Sequence, residues 1–94
     1  MTATDIELLD DATWNAEREA VEVTAIVKAP GPQRRVLCVV AQEALDELVR
    51  APAPLNPVRL VSDFETRIAA AAARRVDLRS PEVVLSRRDF RGAL

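Results

Sequence analysis

The segment from Ala20 to Val40 constrains the fold of this chain more than any other part. Its first half alternates apolar and mostly polar residues, which is typical of a strand with one buried face. The apolar positions are Val21, Val23, Ala25 and Val27. Pro30-Gly31 then suits the central positions of a type II turn, because Pro fixes φ and Gly tolerates a positive φ. The run Val36–Val40 is apolar on both faces, so the segment predicts a β-hairpin with a central second strand.

A strand that is apolar on both faces needs cover on both faces. We expect helices on one face of this hairpin. The other face would be covered by a further element of the chain or by a partner subunit, and the second alternative predicts a homodimer that forms through the hairpin face.

Two later segments have the period of an amphipathic helix. The apolar positions of the first are Ala41, Ala44, Leu45, Leu48 and Val49. Asn56-Pro57 predicts the start of the second, with Asn as N-cap and Pro in the first turn, and this helix is expected to run to about Val76. The Pro-containing segment Ala51–Leu55 predicts a stiff connector between them.

Shorter apolar segments predict one strand near each end of the chain, at Ile6–Leu9 and Glu82–Ser86. The order of elements is then β-β-β-α-α-β. The 94 residues are expected to form a single domain over 1–94. The pattern predicts an α+β, two-layer fold, in which a four-stranded, mostly antiparallel sheet carries two helices packed on one face.

The same elements resemble the bacterial DUF1488 family, a domain of unknown function. The resemblance covers nearly the whole chain through scattered residues: Ile6-Glu7-Leu8, Trp14, Val21–Val27, Leu37-Cys38-Val39-Val40 with Glu43-Ala44-Leu45, Ile68, Val83-Val84-Leu85 and Asp89-Phe90. The chain departs from the family at the hairpin, where Pro30-Gly31-Pro32 replaces a shorter Gly-containing turn. The resemblance implies a two-layer α+β fold and brings no established activity and no catalytic residues.

The composition removes most catalytic and metal-binding chemistry. The chain has no His, one Cys and two Gly, so it lacks the usual general base, His-dependent nucleophiles, Cys-based metal sites and Gly-rich phosphate loops. Cys38 lies in an apolar strand and is expected to be buried and inert. Asp10 and Asp11 are interpreted as turn residues. We therefore predict no catalytic residues, no metal site and no cofactor.

The first residues lack the basic and apolar regions of a signal peptide. The longest apolar runs, Val36–Ala41 and Ile68–Ala73, are much shorter than the ~20 residues of a membrane span. All but one of the 13 basic residues are Arg, which is typical of a GC-rich bacterial genome. We expect a bacterial cytoplasmic protein with no membrane partner.

Six Arg residues in the second half of the chain form a candidate binding surface for an anionic partner. They are Arg74, Arg75, Arg79, Arg87, Arg88 and Arg91. Arg74 and Arg75 alternatively serve only to complement the dipole at the helix end. The net charge of −2 argues against a general attraction to nucleic acid.

The three aromatic residues, Trp14, Phe64 and Phe90, are candidate structural anchors of a small core. On this expectation Trp14→Ala lowers the melting temperature by several degrees. For function, the features predict a non-enzymatic protein-interaction module that acts as a homodimer, with its protein partner unidentified. The alternative is a binder of nucleic acid or another anionic partner through the Arg-rich C-terminal segment.

Overall fold

The computed structural model describes residues 4–29, 31–49, 56–77 and 79–90, and these form a sheet with helices. The strands are β1 (Asp5–Leu8), β2 (Thr13–Asn15), β3 (Ala20–Ala29), β4 (Arg34–Ala41) and β5 (Glu82–Leu85). The helices are α1 (Gln42–Val49), α2 (Pro57–Asp63) and α3 (Glu65–Arg75), and a short 3-10 helix spans Arg87–Asp89. Pro30 of the predicted turn and the predicted connector 51–55 lie outside the described residues.

The hairpin of β3 and β4 forms the centre of the sheet. These strands pair antiparallel, from Ala20 opposite Ala41 to Val27 opposite Arg34, and Gly31 between them has a φ of 81°, as the predicted turn requires. On the far side of β3, β1 and β2 pair antiparallel with its two halves. On the far side of β4, β5 pairs parallel. The predicted α+β fold with a mostly antiparallel sheet is confirmed, and β4 is central.

The sheet contains one strand more than the pattern predicts. The pattern predicts no strand around Trp14, where the segment Asp11–Asn15 favours a connecting turn or a short helical turn, but Thr13–Asn15 pairs with the start of β3. A tight turn makes this possible. The Asn15 side chain accepts hydrogen bonds from the backbone N–H groups of Glu17 and Arg18, at 3.0 and 3.3 Å, and Glu19 has a φ of 51°. Three residues are too few to show a period of two in the sequence.

The second predicted helix is divided into α2 and α3. Its start is as predicted, since the Asn56 side chain accepts a hydrogen bond from the N–H of Val58. At Phe64 the backbone turns to φ −110° and ψ 26°. The N–H of Phe64 still bonds to the carbonyl of Leu60, and the N–H of Ile68 to the carbonyl of Phe64. Position 64 is therefore a kink, and its ring packs half-buried against the core.

The core lies between the helices and one face of the sheet. Its largest fully buried side chains include Leu45 of α1, Ile68 of α3 and Leu85 of β5. Ala71 and Ala72 of α3 have no exposed surface, because small side chains let this helix approach the strands closely. Phe90, which follows the 3-10 helix, is 3% exposed and belongs to the same cluster.

Trp14 does not anchor this core, so that expectation is wrong. Its side chain is 40% exposed and lies outside the core cluster. Trp14 pairs with Val21 and so shares the helix-covered face of the sheet. However, β2 is a short strand at the sheet edge, where side chains have neighbours on fewer sides.

We expect Phe90→Ala to lower the melting temperature more than Trp14→Ala. Removal of a buried Phe ring costs about 3–5 kcal/mol, and 1 kcal/mol corresponds to about 4–8 °C in a domain of this size. Trp14→Ala removes a ring that already contacts solvent, so its shift should be smaller. Thermal unfolding followed by circular dichroism measures both shifts. An equal or larger shift for Trp14→Ala would place that ring in the core.

Candidate interaction surfaces

Contacts with Asp89 tie Arg74 and Arg75, at the end of α3, to the 3-10 helix that carries Arg87 and Arg88. Asp89 makes the connection: its carboxylate lies 3.0 Å from Nε of Arg75, and its backbone carbonyl accepts a bond from Arg74 at 3.3 Å. Arg87 and Arg88 belong to the same 3-10 helix as Asp89. All four Arg side chains are exposed. We call Arg74, Arg75, Arg87 and Arg88 the Arg cluster.

The other two predicted residues are not placed in this cluster. Arg79 lies exposed in the loop before β5, where its backbone N–H donates to the side chain of Asp77. Arg91 lies outside the described residues. Within the cluster, Asp89 offsets one positive charge, and it also accepts the N–H of Ser86 at 2.7 Å. The contacts between Asp89 and α3 therefore hold the 3-10 helix against the end of α3.

The face of the sheet opposite the helices is a second surface, which we call the outer face. Strand register places on it every second residue of β3, β4 and β5: Ala20, Glu22, Thr24, Ile26, Lys28, Arg35, Leu37, Val39, Ala41, Glu82 and Val84. No helix covers this face in the part of the chain that the structure describes. Val84 is 44% exposed and Leu37 is half-buried, so an apolar strip is open to solvent.

Arg18 belongs to the turn between β2 and β3, and its side chain extends over the outer face. Its two terminal nitrogens contact the carboxylate of Glu82 at 3.1 and 3.0 Å, and Nη1 lies 3.6 Å from Glu22. Between these carboxylates lies Val39, which is 2% exposed although it faces away from the helices. The bidentate pair lowers the pKa of Glu82 and raises the pKa of Arg18. The Arg18 side chain thus joins carboxylates on the two strands that flank β4, Glu22 on β3 and Glu82 on β5.

Most other charges of the outer face also have local partners, whereas the exposed Arg35, opposite Ile26, forms no ion pair among the described residues. The Asp11 carboxylate accepts hydrogen bonds from the Thr24 hydroxyl and, at 2.9 Å, from the Thr24 N–H. These bonds lower the pKa of Asp11, and the positive charge of Arg35 adds to the effect. Nζ of Lys28 lies 3.4 Å from Glu7. Asp11 is thus a turn residue that ties the β1–β2 connection to β3.

A groove of about 330 Å³ runs between the end of β1 and α2, and we call it the β1 groove. Its apolar wall includes Leu8, Ala12 and Val61, and Arg59 and Glu65 stand at its rim. A shallower hollow shares Leu8 and Glu65 with it and continues along β1 towards Asp5. The two together form one trough beside the whole length of β1. The sequence pattern did not predict this trough, because it depends on how α2 and α3 lie relative to the edge strand.

Cys38 is fully buried in β4. Burial raises the pKa of its thiol to about 12, which leaves it protonated at neutral pH and without the thiolate that nucleophilic or metal chemistry requires. In the described residues no group of three or more Cys, Asp or Glu side chains is placed to share a metal ion.

The buried thiol should react with a water-soluble disulfide reagent only when the protein unfolds. We expect the reaction of Cys38 with such a reagent to be slow in the native protein, to accelerate with urea in parallel with unfolding, and to reach one thiol per chain in full denaturant. Absorbance of the released thiol measures the rate. Rapid reaction of the native protein would contradict the burial of Cys38.

None of the helices among the described residues is long and apolar enough to cross a membrane. No protein-family model matches the sequence, and no curated protein matches it closely enough to count as a relative.

Among solved structures, the chain is similar to the 1.60 Å crystal structure of a protein of unknown function from the DUF1488 family of Shewanella loihica PV-4. The two share 19% sequence identity with a TM-score of 0.65, over 87% of this chain and 92% of the other. The resemblance found in the sequence is therefore confirmed at the level of the fold. This chain has a DUF1488-like α+β fold.

Proposed function

We propose that this protein is a non-enzymatic protein-interaction module that acts as a homodimer through the outer face of its sheet. The observation that carries the proposal is the open apolar strip on that face. Val84 is 44% exposed, and Leu37 on the neighbouring strand β4 is half-buried. An exposed apolar strip bordered by polar residues is typical of an interaction surface.

The charges of the outer face favour a second copy of the chain as the occupant. Arg18 is matched by Glu22 and Glu82, and Lys28 is matched by Glu7. Covering these ion pairs leaves none of their charges without a partner, and an unpaired buried charge is the main electrostatic cost of burial. Two identical faces related by a two-fold axis would bring Val84 of each copy close to the other.

The non-enzymatic part of the proposal rests on residue chemistry. The sequence contains no His, and the high pKa of the buried Cys38 thiol disfavours a nucleophilic role. Asp11 is engaged by Thr24, and Glu82 by Arg18. These carboxylates have lowered pKa values, whereas a general acid needs a raised one.

Val84→Glu should shift the protein to monomer. The new carboxylate would enter the apolar strip near Glu22 and Glu82, and like charges of two copies would then meet at the interface. Ala70→Glu is the matched control, since Ala70 is exposed on α3 in the helix layer and the change in net charge is the same. Sedimentation equilibrium over a range of concentrations measures the dimer fraction.

We expect wild type and Ala70→Glu to dimerise alike, and Val84→Glu to weaken the dimer by about tenfold or more. Circular dichroism establishes that both variants remain folded. A wild-type protein that stays monomeric at every concentration would overturn the homodimer. A dimer that Val84→Glu leaves unchanged would overturn the choice of the outer face.

The Arg cluster favours a second candidate function, the binding of nucleic acid or another anionic partner. Asp89 links Arg74 and Arg75 to the 3-10 helix that carries Arg87 and Arg88, and its single carboxylate offsets only one of these four charges. Four neighbouring guanidinium groups suit a phosphate-bearing ligand. The overall net charge of −2 opposes this candidate, and it therefore ranks second.

Single-stranded DNA and RNA oligonucleotides of mixed sequence test the second candidate by fluorescence anisotropy. Binding should weaken steeply as salt increases, and the double variant Arg87→Gln, Arg88→Gln should reduce the salt slope by about two. The control is Arg59→Gln, Arg67→Gln, which removes the same charge from exposed positions outside the cluster. Absent or salt-insensitive binding, or an equal loss in the control, would rule the candidate out.

A further inference from the structure

The free edge of β1 differs from the other edge of the sheet. β1 pairs with β3 on one side, and the described residues place no strand on its other side. The N–H of Leu9 donates to the carbonyl of Thr24 at 2.9 Å. Because backbone groups of successive residues in a strand point to opposite sides, Glu7 bonds to Ile26 of β3, and the N–H and C=O groups of Ile6 and Leu8 point away from the sheet.

The edge formed by β5 is partly blocked by side chains, which bind the outward backbone groups of Glu82 and Ser86 but not those of Val84 between them. The Ser80 hydroxyl donates to the carbonyl of Glu82 at 2.9 Å and lies 3.3 Å from its N–H. The N–H of Ser86 donates to Asp89. Such local partners prevent another strand from pairing with an edge. Within the described part of the chain, no side chain occupies the outward backbone groups of Ile6 and Leu8 in this way.

The trough beside β1 lies on the side towards which Ile6 and Leu8 point their side chains. Both side chains pack into or against the core, so a strand added next to β1 would point its own inward side chains along the same direction. There the β1 groove provides apolar surface from Ala12, Val58 and Val61. Backbone pairing at the edge and pockets for alternate side chains are the two requirements for peptide binding by strand addition.

The charges around the trough specify the occupant. Glu7 is matched by Lys28 at 3.4 Å, whereas Asp5, Asp10 and Glu65 outnumber the single positive charge of Arg59. A second copy of β1 would bring its own acidic residues to this edge and be repelled. A positively charged segment would be attracted.

The geometry points to a peptide-binding site: the β1 edge and its groove bind an extended segment of a partner protein in which apolar residues alternate with Lys or Arg. The segment adds to the sheet as a further strand beside β1. Its backbone pairs with Ile6 and Leu8 and its apolar side chains enter the groove, while its cationic side chains, on the opposite face of the added strand, are attracted by the excess of acidic residues around β1. This site is separate from the outer face, so it stands whether or not the protein dimerises there.

A capped synthetic peptide in which Lys and Val alternate is the probe. In amide hydrogen exchange followed by NMR, the peptide should slow exchange at Ile6 and Leu8 while leaving Val84, on the opposite edge, unchanged. The same peptide with Glu in place of Lys should not bind. A Lys–Val peptide that is N-methylated at alternate residues keeps its charge but loses its backbone donors, and it should bind no better than the Glu peptide.

Two charge reversals locate the site. Glu65→Lys should weaken binding of the Lys–Val peptide by about fivefold, whereas Glu43→Lys should leave it unchanged. These residues are matched, since each is an exposed Glu in the first turn of its helix, Glu65 in α3 and Glu43 in α1. Val84→Glu, which tests the dimer, should bind the peptide as wild type does.

Three results would overturn the site. They are the absence of binding at millimolar peptide, protection at Val84 in place of Ile6 and Leu8, and equal binding of the N-methylated peptide, which would show attraction by charge alone. An equal loss in Glu65→Lys and Glu43→Lys would also overturn it, because the effect would then come from net charge and not from the trough.

Discussion

Strand β3 is the constraint on which the rest of the structure depends, because both of its edges are paired and one of its faces is fully buried. Its odd-numbered residues point into the core and direct their backbone groups to β4, while its even-numbered residues face outward and pair with β1 and β2. A slip of one residue would move Glu22, Thr24 and Lys28 into the core. The burial of Val21, Val23, Ala25 and Val27 therefore fixes the register of three neighbouring strands at once.

The features that could be predicted from the sequence are those that local residue patterns determine. The hairpin, its turn at Gly31 and the N-cap at Asn56 are set by local periodicity and backbone chemistry, and the structure agrees with them. β2 depends on a turn held by the Asn15 side chain, and the kink at Phe64 falls inside one continuous amphipathic pattern; neither leaves a periodic signal. Trp14 was expected in the core on residue type alone, but its exposure follows from the sheet edge on which it lies.

The candidate surfaces were harder to predict, because each depends on contacts between distant residues. Arg18 and Glu82 are 64 positions apart, and only the parallel pairing of β5 with β4 brings the carboxylate within reach. The sequence indicated a concentration of Arg residues in the second half of the chain. It did not indicate the ion pair between Arg75 and Asp89, which ties the end of α3 to the 3-10 helix. By contrast, the apolar pattern of β4 correctly predicted a central strand. On its second face, Arg18 pairs with Glu22 of β3 and Glu82 of β5, the two strands that flank β4.

The two proposed sites divide the surface by how its charges are matched. On the outer face Arg18 and Lys28 are paired with Glu22, Glu82 and Glu7 of the same chain, so an identical copy can cover these charges at a reduced electrostatic cost. Beside β1 the acids exceed the bases, so the same logic excludes a copy and selects a basic segment. Stacking through the outer face leaves sheet edges unobstructed, and a homodimer would carry two β1 grooves. A partner with two suitable segments would then be held more tightly than either groove alone allows, because the second binding event becomes intramolecular. Dimerisation would in that case act by raising the affinity of a weak peptide site.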